Sequence, residues 1–126
     1  MNAKELAREK RKQSRLEKWG TQHPACCLCG ETDDRCLEAH HIAGRKNASD
    51  TSLVCRNCHR KLSDTQKDHP QTFGDDPSIL ERIGHFLLGL GDMLTLVGGK
   101  LKEFGAYLLA WAQQWLSPKE ACHDPV

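Results

Sequence analysis

Four cysteines in two pairs carry the clearest chemistry in this 126-residue sequence. Two residues separate Cys26 from Cys29, and two separate Cys55 from Cys58. That spacer lets both thiolates of a pair reach one tetrahedral ion, and two such knuckles make a closed four-sulfur structural zinc site. Twenty-five residues lie between Cys29 and Cys55, enough for an excursion that returns to close the site. The competing reading is a disulfide framework in an exported protein. The first ten residues have neither an apolar run nor a small-residue cleavage site, so the expected setting is the reducing cytoplasm, where such spacing favours metal. Cys27 sits inside the first knuckle and competes with its neighbours, while Cys36 and Cys122 have no spaced partner and read as bystanders.

The excursion carries His40 and His41, and His59 directly follows Cys58. A fully ligated zinc needs no histidine, so these three require another role. On a strand, adjacent side chains point to opposite faces. One of the pair can then share a metal with His59, and the other is left free as a base.

The ordered set resembles a known family. Cys-x-x-Cys, then Leu37-Glu38-Ala39-His40-His41-Ile42, then Leu53-Val54-Cys55-Arg56-Asn57-Cys58-His59-Arg60-Lys61-Leu62 is similar to HNH endonucleases of the four-cysteine type, over about residues 24–69. The resemblance implies a ββα-metal fold, with a catalytic divalent ion between hairpin and helix and a structural zinc behind. It implies that His41 is the general base that deprotonates a water, and that His40 and His59 hold the catalytic ion. DNA is the implied partner, cut to 5′-phosphate and 3′-hydroxyl ends. Many members have Asp where this chain has His40, and a histidine there favours Mn²⁺, Ni²⁺ or Zn²⁺ over Mg²⁺. The family's middle Asn pins the loop that orients the base. Asn47 takes that role in this reading, with Asp50 as its rival at the family's usual spacing. Arg45, Lys46, Arg56, Arg60 and Lys61 flank the expected site and read together as phosphate contacts.

The elements that must position these residues are legible in outline, and imply an α+β fold. Residues 1–20 read as a polar, basic helix, with seven Lys or Arg against three Glu between positions 2 and 19. Residues 21–70 would form the nuclease domain, with a short strand at 36–42 and a helix from Cys55 to about Lys67. That segment holds only six large apolar residues, Leu28, Leu37, Ile42, Leu53, Val54 and Leu62, too few for a core without a metal staple. Residues 71–76 read as a polar linker. Asp75-Asp76-Pro77 reads as a helix start, opening a helical region at 77–117. Ser117-Pro118 reads as the stop, and 118–126 as a disordered tail.

Charge divides the same way. Residues 1–62 hold 13 Lys or Arg and 8 Asp or Glu, net +5; residues 63–126 hold 5 and 9, net −4; the sum is the chain's +1. The total excludes a globally basic nucleic-acid binder, but the basic front admits a local one. In the back half, Leu80, Ile83, Leu87, Leu90, Leu94, Val97, Leu101, Phe104, Leu108, Trp111 and Trp115 alternate steps of three and four, a heptad seam. Gly84, Gly91, Gly98 and Gly105 repeat every seven residues beside it. One bent apolar helix, or a helical hairpin, would pack its apolar face on its own domain, self-associate through residues 80–115 or lie at a membrane interface. The charges at Asp92, Lys100, Lys102 and Glu103 leave no apolar run long enough for a span. The functional expectation is a metal-dependent DNA endonuclease. The alternative is a non-catalytic, zinc-stapled nucleic-acid-binding or membrane-associated adaptor.

Overall fold

The computed structural model describes residues 1–72 and 74–115. Cys122, the expected stop at Ser117-Pro118 and the expected tail at 118–126 lie outside the described residues. The elements run α1 (Ala3–Trp19), a 3-10 turn (Asp34–Cys36), β1 (Leu37–His41), β2 (Thr51–Cys55), α2 (Arg56–Gln66) and α3 (Ile79–Trp115). The fold is thus a small mixture of helices with a two-stranded antiparallel sheet.

Helix α1 forms because both of its ends are satisfied. Asn2 and Glu5 exchange side-chain to backbone hydrogen bonds in a capping box, and Gly20 closes the helix at φ 71°. Only its last turns engage the rest of the chain. Leu16 is buried, and the Arg15 guanidinium donates to Asp34 in the 3-10 turn. The Lys and Arg side chains nearer the N-terminus stay exposed.

The hairpin pairs Leu37 with Cys55, Ala39 with Leu53, His40 with Ser52 and His41 with Thr51. Helix α2 follows β2 without a loop. Cys55 itself caps it, its sulfur accepting from the Cys58 N–H at 3.4 Å. The same thiol that belongs to the second knuckle therefore starts the helix. Val54 and Leu62 are fully buried between sheet and helix. The core around them is completed by Cys26, Leu37, Cys55, Cys58 and Met93, with Trp19, Leu28, Ile42, Leu53 and Leu96 packed against it. Six apolar residues could not form this core alone; cysteine side chains, Trp19 from α1 and Met93 and Leu96 from α3 supply the remainder.

Helix α3 starts later than Asp75-Asp76-Pro77 implies. Ser78 is the cap: Glu81 N–H donates to Ser78 Oγ and Ser78 N–H to Glu81 Oε1, each at 3.2 Å. This Ser-x-x-Glu box satisfies two amide groups reciprocally, which a lone Asp before Pro77 does not. Asp76 instead accepts from Arg82 at 3.0 Å. The helix then runs 37 residues without a break, straight through Gly98-Gly99, so there is no hairpin. It seats on the hairpin end at Gly89, where a Cβ would stand 1.7 Å from the Ile42 carbonyl oxygen. No other residue type allows so close an approach.

Candidate functional site

The two knuckles meet. The sulfurs of Cys26, Cys29, Cys55 and Cys58 all lie within 4.8 Å of one another, and Cys29 and Cys55 are 3.6 Å apart. A tetrahedral ion with sulfur bonds of about 2.3 Å spaces its ligands by about 3.8 Å, so the donor set fits a structural metal such as zinc. The electrostatics point the same way. Burial raises the Cys58 thiol far above its ordinary range, and neighbouring thiols add to that. At Cys26 burial also opposes ionisation, but backbone N–H groups outweigh it and bring the thiol to about 7. Four thiolates can share so small a volume only around a cation. Cys27 and Cys36 are exposed and stand apart from the group.

The histidines sort by strand alternation. His40 and Glu38 share one face of β1, and that face meets α2. The His40 and His59 rings lie 5.4 Å apart between centres, nearly edge to face. His40 is 2% exposed, and its Nε2 is buried with no hydrogen-bond partner among the described residues. Burial first, then the neighbouring His59 and His41, hold its pKa down to about 4. The ring is therefore neutral near pH 7, the form a metal ligand needs. Helix α3 contributes the cover: Ser52, the cross-strand partner of His40, donates to Met93 Sδ at 3.7 Å. Beside it, His69 Nε2 stands 2.7 Å from Asp92 Oδ2.

Glu38, which the motif reading passes over, organises His59. Its Oε2 is 2.6 Å from His59 Nδ1, and its Oε1 accepts from Arg56 Nε at 3.3 Å. The hydrogen bond from His59, helped by Arg56, lowers the Glu38 pKa. A carboxylate can only accept, so the hydrogen of this contact sits on Nδ1, and Nε2 is the nitrogen turned away from Glu38. The signal was available: Glu38 lies two residues before His40, so a strand puts both on one face.

His41 faces the other way and is half-buried, with its carbonyl accepting from Gln66 Nε2 at 2.8 Å. The same amide reaches the Ile42 carbonyl at 3.1 Å, so Gln66 ties the end of β1 to α2. Asn47 holds the loop beyond it. Its Nδ2 donates to the Ala43 carbonyl at 2.9 Å, and its Oδ1 accepts from Thr72 Oγ1 at 2.8 Å. Asp50 meets Ile42 through its backbone carbonyl, and its residue is exposed.

The five flanking cations do not form one patch. Arg56 and Arg60 line an open cleft of about 410 Å³ together with Glu38, His59, Ser63, Asp64 and Lys67. Lys67 was not singled out by the sequence, because its helix turn is visible only once α2 is placed. Lys61 lies on another side of α2, in a recess toward Leu96 and Gly99. Lys46 is turned to the Thr72 carbonyl at 3.0 Å, and Arg45 is exposed on the loop. The groove beside α1 carries both signs: Arg8, Arg11 and Lys12 stand with Glu5 and Glu9, while Arg15 pairs with Asp34 and Arg35 with Asp33.

No described helix is long and apolar enough to cross a membrane. Comparison with protein-family models, with curated proteins and with solved structures finds no match to the chain.

Proposed function

We propose that the chain is a metal-dependent DNA endonuclease of the HNH type, in which zinc on Cys26, Cys29, Cys55 and Cys58 braces a ββα-metal site. The observation that carries this reading is the His40–His59 pair, 5.4 Å apart with Glu38 behind His59 and an unpartnered nitrogen on His40. Two imidazole rings this close, one of them held by a carboxylate, suit a pair of metal ligands. A divalent ion held there would stabilise charge on the phosphoryl and leaving oxygens. His41, next to His40 at the very end of β1, takes the proton from an attacking water at the strand's edge. Arg56, Arg60 and Lys67 hold the phosphodiester backbone in the open cleft beside His59, and the exposed cations of α1 and Arg45 extend the contact along the strand. Asn47 fixes the loop that follows His41.

A plasmid-nicking assay tests the reading. The parent should nick supercoiled DNA only with added Mn²⁺, Ni²⁺ or Mg²⁺, and His41→Ala should abolish nicking while keeping the zinc. DNA binding without nicking at any of these ions rejects the enzyme.

One observation favours a second reading, a non-catalytic zinc-stapled nucleic-acid-binding module. His40 is 2% exposed beneath α3, so an ion and a phosphate reach it only if that helix shifts. The same assay separates the two.

A further inference from the structure

We infer that helix α3 is a self-association element, and that its outward apolar face is covered by α3 of a second copy of this chain. The inference is independent of the nuclease reading.

It starts from an inversion. A helix on a small domain ordinarily buries its apolar stripe and shows solvent its polar one. In helix α3 only Met93 and Leu96 join the core, and the heptad seam does the reverse. With Leu80 as position a of the heptad, the pole opposite the seam carries His85 and Asp92, and this polar pole faces the chain's own domain. His85 Nε2 meets Thr72 Oγ1 at 2.8 Å, Asp92 meets His69 at 2.7 Å, and Gly89 abuts Ile42. The apolar seam points away. Nine of its eleven members are exposed, among them Leu94 at 61%, Leu101 at 68% and Phe104 at 67%. The last three turns pass beyond the domain, with Leu108, Trp111 and Trp115 exposed as well. Leaving so many large apolar side chains in water is unfavourable, and a partner that buries them removes that cost.

The period says what covers them. A straight α-helix drifts about 20° per heptad against a strict seven-residue repeat. Over five repeats the seam would turn about 100° around the helix. A flat lipid surface or a rigid groove loses contact with such a seam. A second helix of the same period follows it by supercoiling. Bilayer insertion is further disfavoured by Lys100, Lys102 and Glu103 midway along the helix.

The flanks say that the partner can be identical. Positions a and d hold no charge. Position e is Gly84, Gly91, Gly98, Gly105 and Ala112, which lets backbones approach closely, and position g carries a single charge, Lys100. Charges at e and g are what normally reject a self-pair, and one lysine per chain does not.

Sedimentation of the full, metal-loaded chain at micromolar concentration tests this. The expected result is twice the chain mass, or a higher multiple. The double variant Phe104→Glu/Leu108→Glu should sediment as one chain, with unchanged metal content and helicity. Both sites lie past the last domain contact, so the domain cannot unfold through them. Leu94→Glu/Leu101→Glu should behave alike. A monomeric parent overturns the inference. So does a parent that is monomeric in solution yet floats with phosphatidylcholine–phosphatidylglycerol vesicles, which would assign the face to lipid.

Discussion

Glu38 Oε2 lies 2.6 Å from His59 Nδ1, and this contact fixes which nitrogen of His59 is available for chemistry. A carboxylate behind an imidazole sets its tautomer and orientation, and losing such a partner typically costs 10–100-fold in metal affinity. Glu38→Ala should therefore weaken binding of an exchangeable Mn²⁺ by about 10–100-fold. Glu38→Gln, which can still accept from Nδ1, should lose less. Zinc content should not change in either. Equilibrium dialysis of Mn²⁺ against zinc-loaded protein reads both values, and an unaltered Mn²⁺ affinity in Glu38→Ala would remove the orienting role.

Removing the structural metal should unfold the hairpin and α2 together. Cys55 caps α2, pairs in the hairpin and belongs to the four-thiol group, so no part of that unit is independent of it. Apparent binding energies of about 10–16 kcal/mol for structural zinc exceed what so thin a core supplies. A strong chelator, or Cys58→Ser, should erase amide protection at Val54 and Leu62, while the exposed end of α3 keeps its exchange behaviour. Retained protection at Val54 in the metal-free chain would contradict this.

What the sequence made legible follows from local rules. Cysteine spacing identified the four thiols that converge, and strand alternation separated His40 from His41. Three features were not local. Strand alternation already put Glu38 on the His40 face, but only its contact with His59, twenty-one residues away on α2, shows what it does there. The five flanking cations looked like one group in the chain, yet α2 turns Arg56 and Arg60 to one side and Lys61 to another. The orientation of α3 was the largest surprise. Its apolar stripe reads as a core face, and only the seating of Gly89 on Ile42 reveals that the opposite pole is the one docked. The helix start also moved to Ser78, because two competing cap signals, Asp76 and Ser78, lay two residues apart and the reciprocal box prevailed.

The Arg15–Asp34 contact should make the docking of α1 depend on pH. The Arg15 guanidinium donates to the Asp34 carboxyl and holds its pKa below the ordinary 3.8. As pH falls, the unfolded chain therefore takes up a proton at Asp34 before the folded chain does. The contact contributes fully above the ordinary carboxylate range and is lost as pH falls through the lowered folded value. Trp19 fluorescence, at the end of α1, reports undocking. Between neutral pH and about pH 3, the parent should lose its advantage over Asp34→Asn, which lacks the charge throughout. A constant difference between the two across that range would show that the ion pair does not anchor the helix. Zinc content followed in both chains at each pH separates undocking of α1 from loss of the four-thiol site.

Asn47 and Asp50 compete for the role of loop anchor, and their surroundings predict unequal consequences. Asn47 is half-buried and makes two side-chain hydrogen bonds, to the Ala43 carbonyl and from Thr72. Thr72 in turn meets His85, so the chain of contacts runs from the loop after β1 to α3. Asn47→Ala strands the carbonyl of buried Ala43 and releases Thr72, at a cost of about 1–3 kcal/mol for the unsatisfied group. Asp50 offers an exposed side chain, and only its backbone carbonyl holds Ile42. Asp50→Ala leaves that carbonyl in place and should stay within about 0.5 kcal/mol of the parent. Denaturant unfolding of the metal-loaded variants measures both. Local exchange at Ala48 and Gly44 then separates a loosened loop from a global loss. Equal destabilisation by the two substitutions would leave Asn47 without its assigned role.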